Sequence, residues 1–102
     1  MDRLEALKNL LRQNPADSFA RYGLAMEYSR AGNLEEALAE FQHLLSLDPD
    51  YAAAYFHAGQ TLEKLGRKDE ARKMYRRGIE ITTRLGNSHA RDELQAALDF
   101  LE

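Results

Sequence analysis

The chain carries the same pattern of residues twice, at an offset of 34 positions. Residues 31–50 read AGNLEEALAEFQHLLSLDPD, and residues 65–84 read LGRKDEARKMYRRGIEITTR. The pairs that match across this offset are Gly32 with Gly66, Glu36 with Glu70, Ala37 with Ala71, Phe41 with Tyr75, and Leu47 with Ile81. A fixed period of this length is typical of proteins that stack one supersecondary unit on its copy.

Two prolines and two glycines divide the repeated units into helices. Pro15 and Pro49 are also 34 residues apart, and each follows an Asn or an Asp. Since proline cannot continue a helix, each of them is expected to end one helix and precede the next. Gly32 and Gly66 are followed by polar residues, and they are expected to split each unit into two helices.

The helix starts that follow these glycines are predicted to differ. Asn33, with Glu36 three residues later, indicates a capping box, in which each side chain bonds the backbone N–H of the other residue. Arg67 stands at the equivalent position of the second unit and cannot cap in this way. We therefore expect the second helix start to be the looser of the two.

Apolar residues recur at helical spacing within these segments. Leu34, Leu38 and Phe41 fall four and three residues apart, and similar steps occur near both ends of the chain. Such spacing is typical of one buried stripe on a helix, and no sustained period of two indicates a strand. The sequence predicts an all-α fold with six helices, over residues 2–13, 18–31, 34–47, 51–65, 68–84 and 88–101.

Composition indicates a soluble globular domain. Hydrophobic residues make up 44% and charged residues 30% of the 102 residues, and the absence of cysteine excludes disulfides and thiolate chemistry. The N-terminal segment lacks the apolar stretch of a signal peptide, and the longest apolar run, 51–56, is too short to cross a bilayer. We expect a cytoplasmic protein that contacts no membrane.

The repeat resembles the tetratricopeptide repeat family, whose units are helix pairs with this period. The resemblance covers two complete units, 18–50 and 51–85, while 2–15 resembles half a unit and 88–102 a capping helix. It implies that residues 1–102 form one domain, a right-handed superhelix of antiparallel helix pairs. The residues that match the family pattern are Leu24, Ala25, Tyr28, Ala37, Phe41 and Pro49, then Tyr55, Ala58, Gly59, Leu62, Ala71 and Tyr75.

The chain departs from the family pattern at two positions. Arg21 stands where the family prefers a large aromatic residue, and we expect Phe19 to supply the missing bulk. Thr83 replaces the closing proline of the second unit, so the fifth helix is expected to continue to Gly86.

The resemblance also implies where a partner binds, because the first helix of each unit lines a concave groove in this family. Tyr22, Met26 and Phe56 are expected to supply apolar contacts, as in the docking of an amphipathic helix or peptide. His57 and Gln60 are expected to orient the partner. The positions assigned to the groove are Phe19, Tyr22, Met26, Ser29, Ala53, Phe56, His57, Gln60, Asn87, Arg91 and Leu94.

Arg91 is expected to anchor an acidic group of the partner. Some relatives hold a C-terminal carboxylate with lysine, asparagine and arginine side chains from successive helices. Here Tyr22, Met26 and His57 occupy the corresponding places and Arg91 alone keeps its type, so such a clamp is not expected. Two alternatives remain for the apolar strip: it is core covered by the flanking helices, or it joins two copies in a homodimer.

A basic cluster on the predicted helix 68–84 offers a further reading. Its arginines include Arg72 and Arg76, and Asp69 and Glu80 lie within one helical turn of them. We expect local ion pairs and a solvated outer face rather than contact with RNA or an acidic partner. The net charge of −3 also argues against a nucleic-acid binder.

Catalysis finds no support in the sequence. His43, His57 and His89 lie on separate predicted helices, without the spacing of metal ligands, and no glycine-rich phosphate loop occurs. The sequence therefore predicts a non-enzymatic protein-interaction module that needs neither metal nor cofactor. A self-associating scaffold protein is the alternative.

Overall fold

The computed structural model describes residues 2–102, which form six α-helices and no strand. Each helix begins and ends within one residue of its predicted position, so the predicted all-α fold is confirmed. The helices are α1 (Arg3–Gln13), α2 (Ser18–Arg30), α3 (Leu34–Leu47), α4 (Ala52–Lys64), α5 (Lys68–Leu85) and α6 (Ser88–Leu101).

The helices stack into a short helical solenoid. Each helix packs against the next one along the chain, and α4 also contacts α6. Connections of two to four residues make consecutive helices antiparallel. The molecule measures 41 × 29 × 19 Å.

Glycine ends three of the helices with the same hydrogen-bonded turn. Gly32 and Gly66 have φ values of 80° and 77°, a left-handed conformation that glycine adopts without a steric cost. After Gly32, the N–H of Asn33 donates to the carbonyl of Tyr28 at 2.9 Å, which closes a Schellman motif. Gly86 ends α5 in the same way, as predicted.

The predicted capping box at Asn33 is wrong. Its side chain makes no capping hydrogen bond, and its backbone N–H is already used by the Schellman motif, so Glu36 has no donor to reach back to. The start of α5 is not looser. Arg67 has the same backbone bonds at the same lengths, and its guanidinium binds the Glu70 carboxylate at 2.5 and 2.8 Å.

Two reciprocal contacts hold α4 close to α5. The buried ring of Tyr75 on α5 lies against Gly59 on α4, where an added Cβ would stand 2.6 Å from the ring's Cζ. In return, Tyr55 on α4 lies against Gly78 on α5, where an added Cβ would stand 2.7 Å from the Tyr55 Cβ. Each aromatic ring thus fits only because its partner position lacks a side chain.

Arg21 fills the aromatic position of the first unit by itself. Its side chain is buried. The guanidinium donates one hydrogen bond to Glu40 Oε1 at 2.7 Å and another to the carbonyl of Pro15 at 3.0 Å. Tyr55, which stands 34 residues later, donates its hydroxyl to the carbonyl of Pro49 at 2.6 Å. In each unit, a side chain at this position therefore anchors the first helix to the preceding turn through the carbonyl of the equivalent proline.

The expectation that Phe19 supplies the missing bulk is wrong. Phe19 lies in the first turn of α2 with 76% of its surface exposed, because the stem of Arg21 already occupies the space. No helix within residues 2–102 is both long enough and apolar enough to span a membrane.

Candidate binding groove

An open pocket of about 500 Å³ lies between α4 and α6. Two phenylalanines and two alanines line it, together with three polar side chains. The residues that line it are Phe56, Gln60 and Glu63 of α4, and Glu93, Ala96, Ala97 and Phe100 of α6.

The two phenylalanines differ in how firmly they are held. Phe56 is partly buried and packs against core residues, with ring centroids 6.4 Å from Tyr75 and 5.4 Å from His57. Phe100 is 89% exposed and contacts no other ring among the described residues. The pocket therefore has one fixed apolar wall and one aromatic side chain that is still exposed to water.

The polar edge of the pocket carries two carboxylates. Glu63 Oε2 accepts a hydrogen bond from the hydroxyl of Tyr75, which holds the carboxylate at the mouth of the pocket. Burial and this bond raise the pKa of Tyr75 above its ordinary value. Glu93 Oε1 lies 3.3 Å from Nε2 of His89, one turn earlier on α6. Within residues 2–102, no lysine or arginine lines the pocket.

An aromatic cluster adjoins the pocket on the side of α2. Tyr22 lies with its ring centroid 5.2 Å from Tyr51 and 5.8 Å from His57. His57 in turn stacks nearly parallel on the buried ring of Phe41, at 6.3 Å. Burial raises the pKa of the Tyr22 hydroxyl. Tyr22, Tyr51 and His57 are therefore partly buried and packed against one another or against Phe41, rather than free contacts.

The predicted groove residues are not all brought together. Phe56 and Gln60 line the pocket, and Tyr22, His57 and Met26 form or pack against the adjoining aromatic cluster. Phe19 lies apart from every other aromatic ring within residues 2–102.

Two positions on α6 behave differently from their predicted roles. Arg91 is exposed and binds the neighbouring Asp92 at 3.2 Å, outside the pocket. Leu94 is only 1% exposed, so its assignment to the groove surface is wrong. The reason is Gly78, whose missing side chain leaves room for a Leu94 methyl group against α5.

Sequence reasoning missed the half of the pocket that α6 contributes. The signal was available in the leucines of that segment, because Leu94, Leu98 and Leu101 mark its core face. Phe100 does not lie on that core face, and an exposed aromatic side chain on a capping helix indicates a contact surface. Glu93 lies seven residues, about two helical turns, before it on the same side.

The pKa of His57 is lowered, chiefly by burial; Glu93 opposes this shift and Lys64 adds to it. A histidine with a lowered folded-state pKa contributes stability above the ordinary value of 6.5, and this stability is lost as the pH falls through the folded-state pKa. Between about pH 7.5 and pH 5, we expect the free energy of unfolding to fall less in His57→Gln than in the native chain. Urea unfolding at both pH values measures this.

The matched control is His43→Gln, because His43 is exposed on α3 and contacts no aromatic ring within the described part of the chain. Its pH dependence is expected to follow the native chain. Equal pH dependence in the native chain and in His57→Gln would contradict the role of the buried imidazole.

Half of the basic side chains on α5 form ion pairs, although not always as predicted. Arg72 binds Asp69 at 2.7 Å, as expected. Glu80 makes no ion pair within residues 2–102, since the long arginine side chains reach carboxylates on other segments instead. The carboxylates that pair with Arg76 and Arg84 belong to Glu102 and Asp50. No group of three metal-ligating side chains comes together among the described residues.

Comparison with known proteins identifies the family. Residues 22–86 match the family model described as tetratricopeptide repeat, so the chain belongs to the tetratricopeptide repeat family. This is a protein-interaction fold, and the chain is accordingly a protein-interaction module.

Solved structures share the architecture. A tetratricopeptide repeat domain protein from Salinibacter ruber is 40% identical, with a TM-score of 0.83 over 87% of this chain and 90% of that one. A protein of Bordetella parapertussis is 27% identical, with a TM-score of 0.86 over 99% and 88% of the two chains. PcrH, in complex with the chaperone binding region of PopD, has the same fold at 18% identity, with a TM-score of 0.89 over 96% and 74%.

Proposed function

We infer that this protein binds a peptide or an amphipathic helix of another protein, with the pocket between α4 and α6 as the centre of its groove. One observation carries this proposal: Phe100 is 89% exposed, and together with Phe56 it lines a largely apolar pocket. A large aromatic side chain left in water beside a concave apolar surface is typical of a binding site. The proposed role is non-enzymatic and cytoplasmic.

The same fold in PcrH supports this reading, because PcrH is in complex with a region of PopD. In this chain, a partner's apolar side chain would enter between Phe56 and Phe100 and remove both rings from water. Gln60 at the edge offers an amide donor and acceptor to the partner's backbone. Tyr22 and Met26 would extend the contact toward α2. A single small pocket favours micromolar rather than tighter affinity.

Display selection of random peptides on the folded protein tests the proposal. We expect the selected peptides to contain aromatic or aliphatic anchors and to lose about tenfold or more in affinity on Phe100→Ser. The change removes contact area that only a partner covers, so the stability of the domain is expected to remain close to native. Fluorescence anisotropy with labelled peptides measures the affinities.

Leu47→Ser is the matched control, because Leu47 is an exposed apolar residue of α3 that does not line the pocket between α4 and α6. The selected peptides should bind this variant as they bind the native chain. A pool with equal affinity for Phe100→Ser and the native chain would place the binding site elsewhere. A native chain that selects no peptide at all would count against peptide binding.

Self-association is the second candidate, since the exposed ring of Phe100 and the open pocket belong to the same chain. Light scattering after size exclusion separates the two. A native monomer at about 100 µM would leave the groove to another protein, whereas a dimer that Phe100→Ser splits would favour a homodimer. Circular dichroism checks that the variant keeps its helices.

A further inference from the structure

We propose that the groove selects a partner segment in which a lysine or arginine stands beside the apolar anchor. This inference rests on the proposed function and names the partner's chemistry. The pocket carries two carboxylates, Glu63 on α4 and Glu93 on α6, and no basic side chain among the residues that the structure describes. An apolar pocket with acidic groups on both of its walls is complementary to an apolar side chain flanked by a cation.

Both carboxylates are available to a partner. Glu63 uses Oε2 to accept the Tyr75 hydroxyl, and its Oε1 has no partner within residues 2–102. The bond to a buried tyrosine fixes the carboxylate at the mouth of the pocket, so a cation that binds there finds it already oriented. Glu93 Oε1 lies 3.3 Å from Nε2 of the highly exposed His89, and its charge also acts on His57. Both imidazoles carry a charge only when protonated.

The two cations nearest in sequence to these carboxylates do not line the pocket. Arg91 binds Asp92 at 3.2 Å and lies outside the pocket. Lys64 follows Glu63 on α4, but its side chain is exposed and does not line the pocket. The pocket is therefore acidic, whereas the sequence predicts a basic anchor, Arg91, for an acidic group of the partner.

The physical effect is selectivity more than strength. A carboxylate in open water gains little from a nearby cation, but a partner seated on the apolar floor excludes water and strengthens the attraction. An acidic side chain at the same place would meet two like charges and lose affinity. The pair of carboxylates thus rejects acidic segments as well as attracting basic ones.

The experiment repeats the peptide selection on three proteins: the native chain, Glu63→Gln/Glu93→Gln, and Glu36→Gln/Glu80→Gln. Glutamine keeps an oxygen that can accept the Tyr75 hydroxyl, so the first variant removes charge and preserves this bond. The second variant changes the net charge equally, at exposed glutamates that make no ion pair among the described residues and do not line this pocket.

We expect lysine or arginine to be enriched next to the apolar anchor in the pools from the native chain and from Glu36→Gln/Glu80→Gln. The enrichment should vanish on Glu63→Gln/Glu93→Gln, to which individual basic peptides should bind about fivefold more weakly. Raising the salt from about 50 to about 500 mM should weaken their binding to the native chain and have less effect on this variant.

The outcomes separate this inference from the proposed function. Apolar peptides that depend on Phe100 but show no basic enrichment would overturn the inference and leave groove binding intact. Basic enrichment that survives on Glu63→Gln/Glu93→Gln would also overturn it, because the cation would then bind elsewhere. A native chain that selects no peptide would overturn both.

Discussion

Gly59→Ala is expected to lower the free energy of unfolding by about 2 kcal/mol or more, since overpacking a core typically costs 1–3 kcal/mol. The new methyl group would stand 2.6 Å from Cζ of the Tyr75 ring. This ring is fully buried and cannot swing away, so α4 and α5 must separate. The higher helix propensity of alanine offsets only about 1 kcal/mol. Thermal unfolding should show a melting temperature lower by about 8 °C or more.

Gly23→Ala is the matched control within the same molecule. A Cβ at Gly23 would meet Cδ2 of Leu7 at 3.1 Å, which is the end of a flexible side chain that can adjust. We expect this variant to stay within about 0.5 kcal/mol of the native chain, because the small displacement and the gain in helix propensity oppose each other. A Gly59→Ala variant that melts with the native chain would contradict the close packing of α4 on α5.

The sequence predicted the helices well for a physical reason. The prolines and Gly32, Gly66 and Gly86 act on the backbone directly, through a fixed φ, a missing N–H or a left-handed turn. Such local effects do not depend on what packs against the helix. The capping box at Asn33 failed because two local motifs compete for one N–H, and only the structure decides which forms.

The groove was predicted less well than the helices, because its residues were assigned by aligning each helix with the repeat pattern. This alignment places Phe56 and Gln60, in a unit that matches the pattern, on residues that do line the pocket. It misplaces residues in α6, because α6 departs from the pattern. There the space left by Gly78 draws Leu94 into the core, and the rotation of the helix presents Phe100 and Glu93 to the groove.

Arg21 shows how a charged residue can replace an aromatic one in the repeat. The guanidinium is held by Glu40 and by the Pro15 carbonyl, and its Nε is buried without a hydrogen bond. Arg21→Ala removes both bonds and the packing of the stem, and it leaves Glu40 and the carbonyl without their donor. We expect the free energy of unfolding to fall by about 2–4 kcal/mol, measured by urea unfolding.

Two further variants distinguish the reasons for this loss. Arg3→Ala removes an ion pair of similar length, 2.8 Å to Glu27, at a site where Arg3 is largely exposed, and it should cost at most about 1 kcal/mol. Arg21→Tyr restores the residue type that the second unit has at Tyr55, with a hydroxyl that can reach the Pro15 carbonyl. It should recover more than half of the stability lost in Arg21→Ala. A loss in Arg21→Tyr as large as in Arg21→Ala would show that the pair with Glu40, rather than the repeat's bond to the proline carbonyl, holds α2 in place.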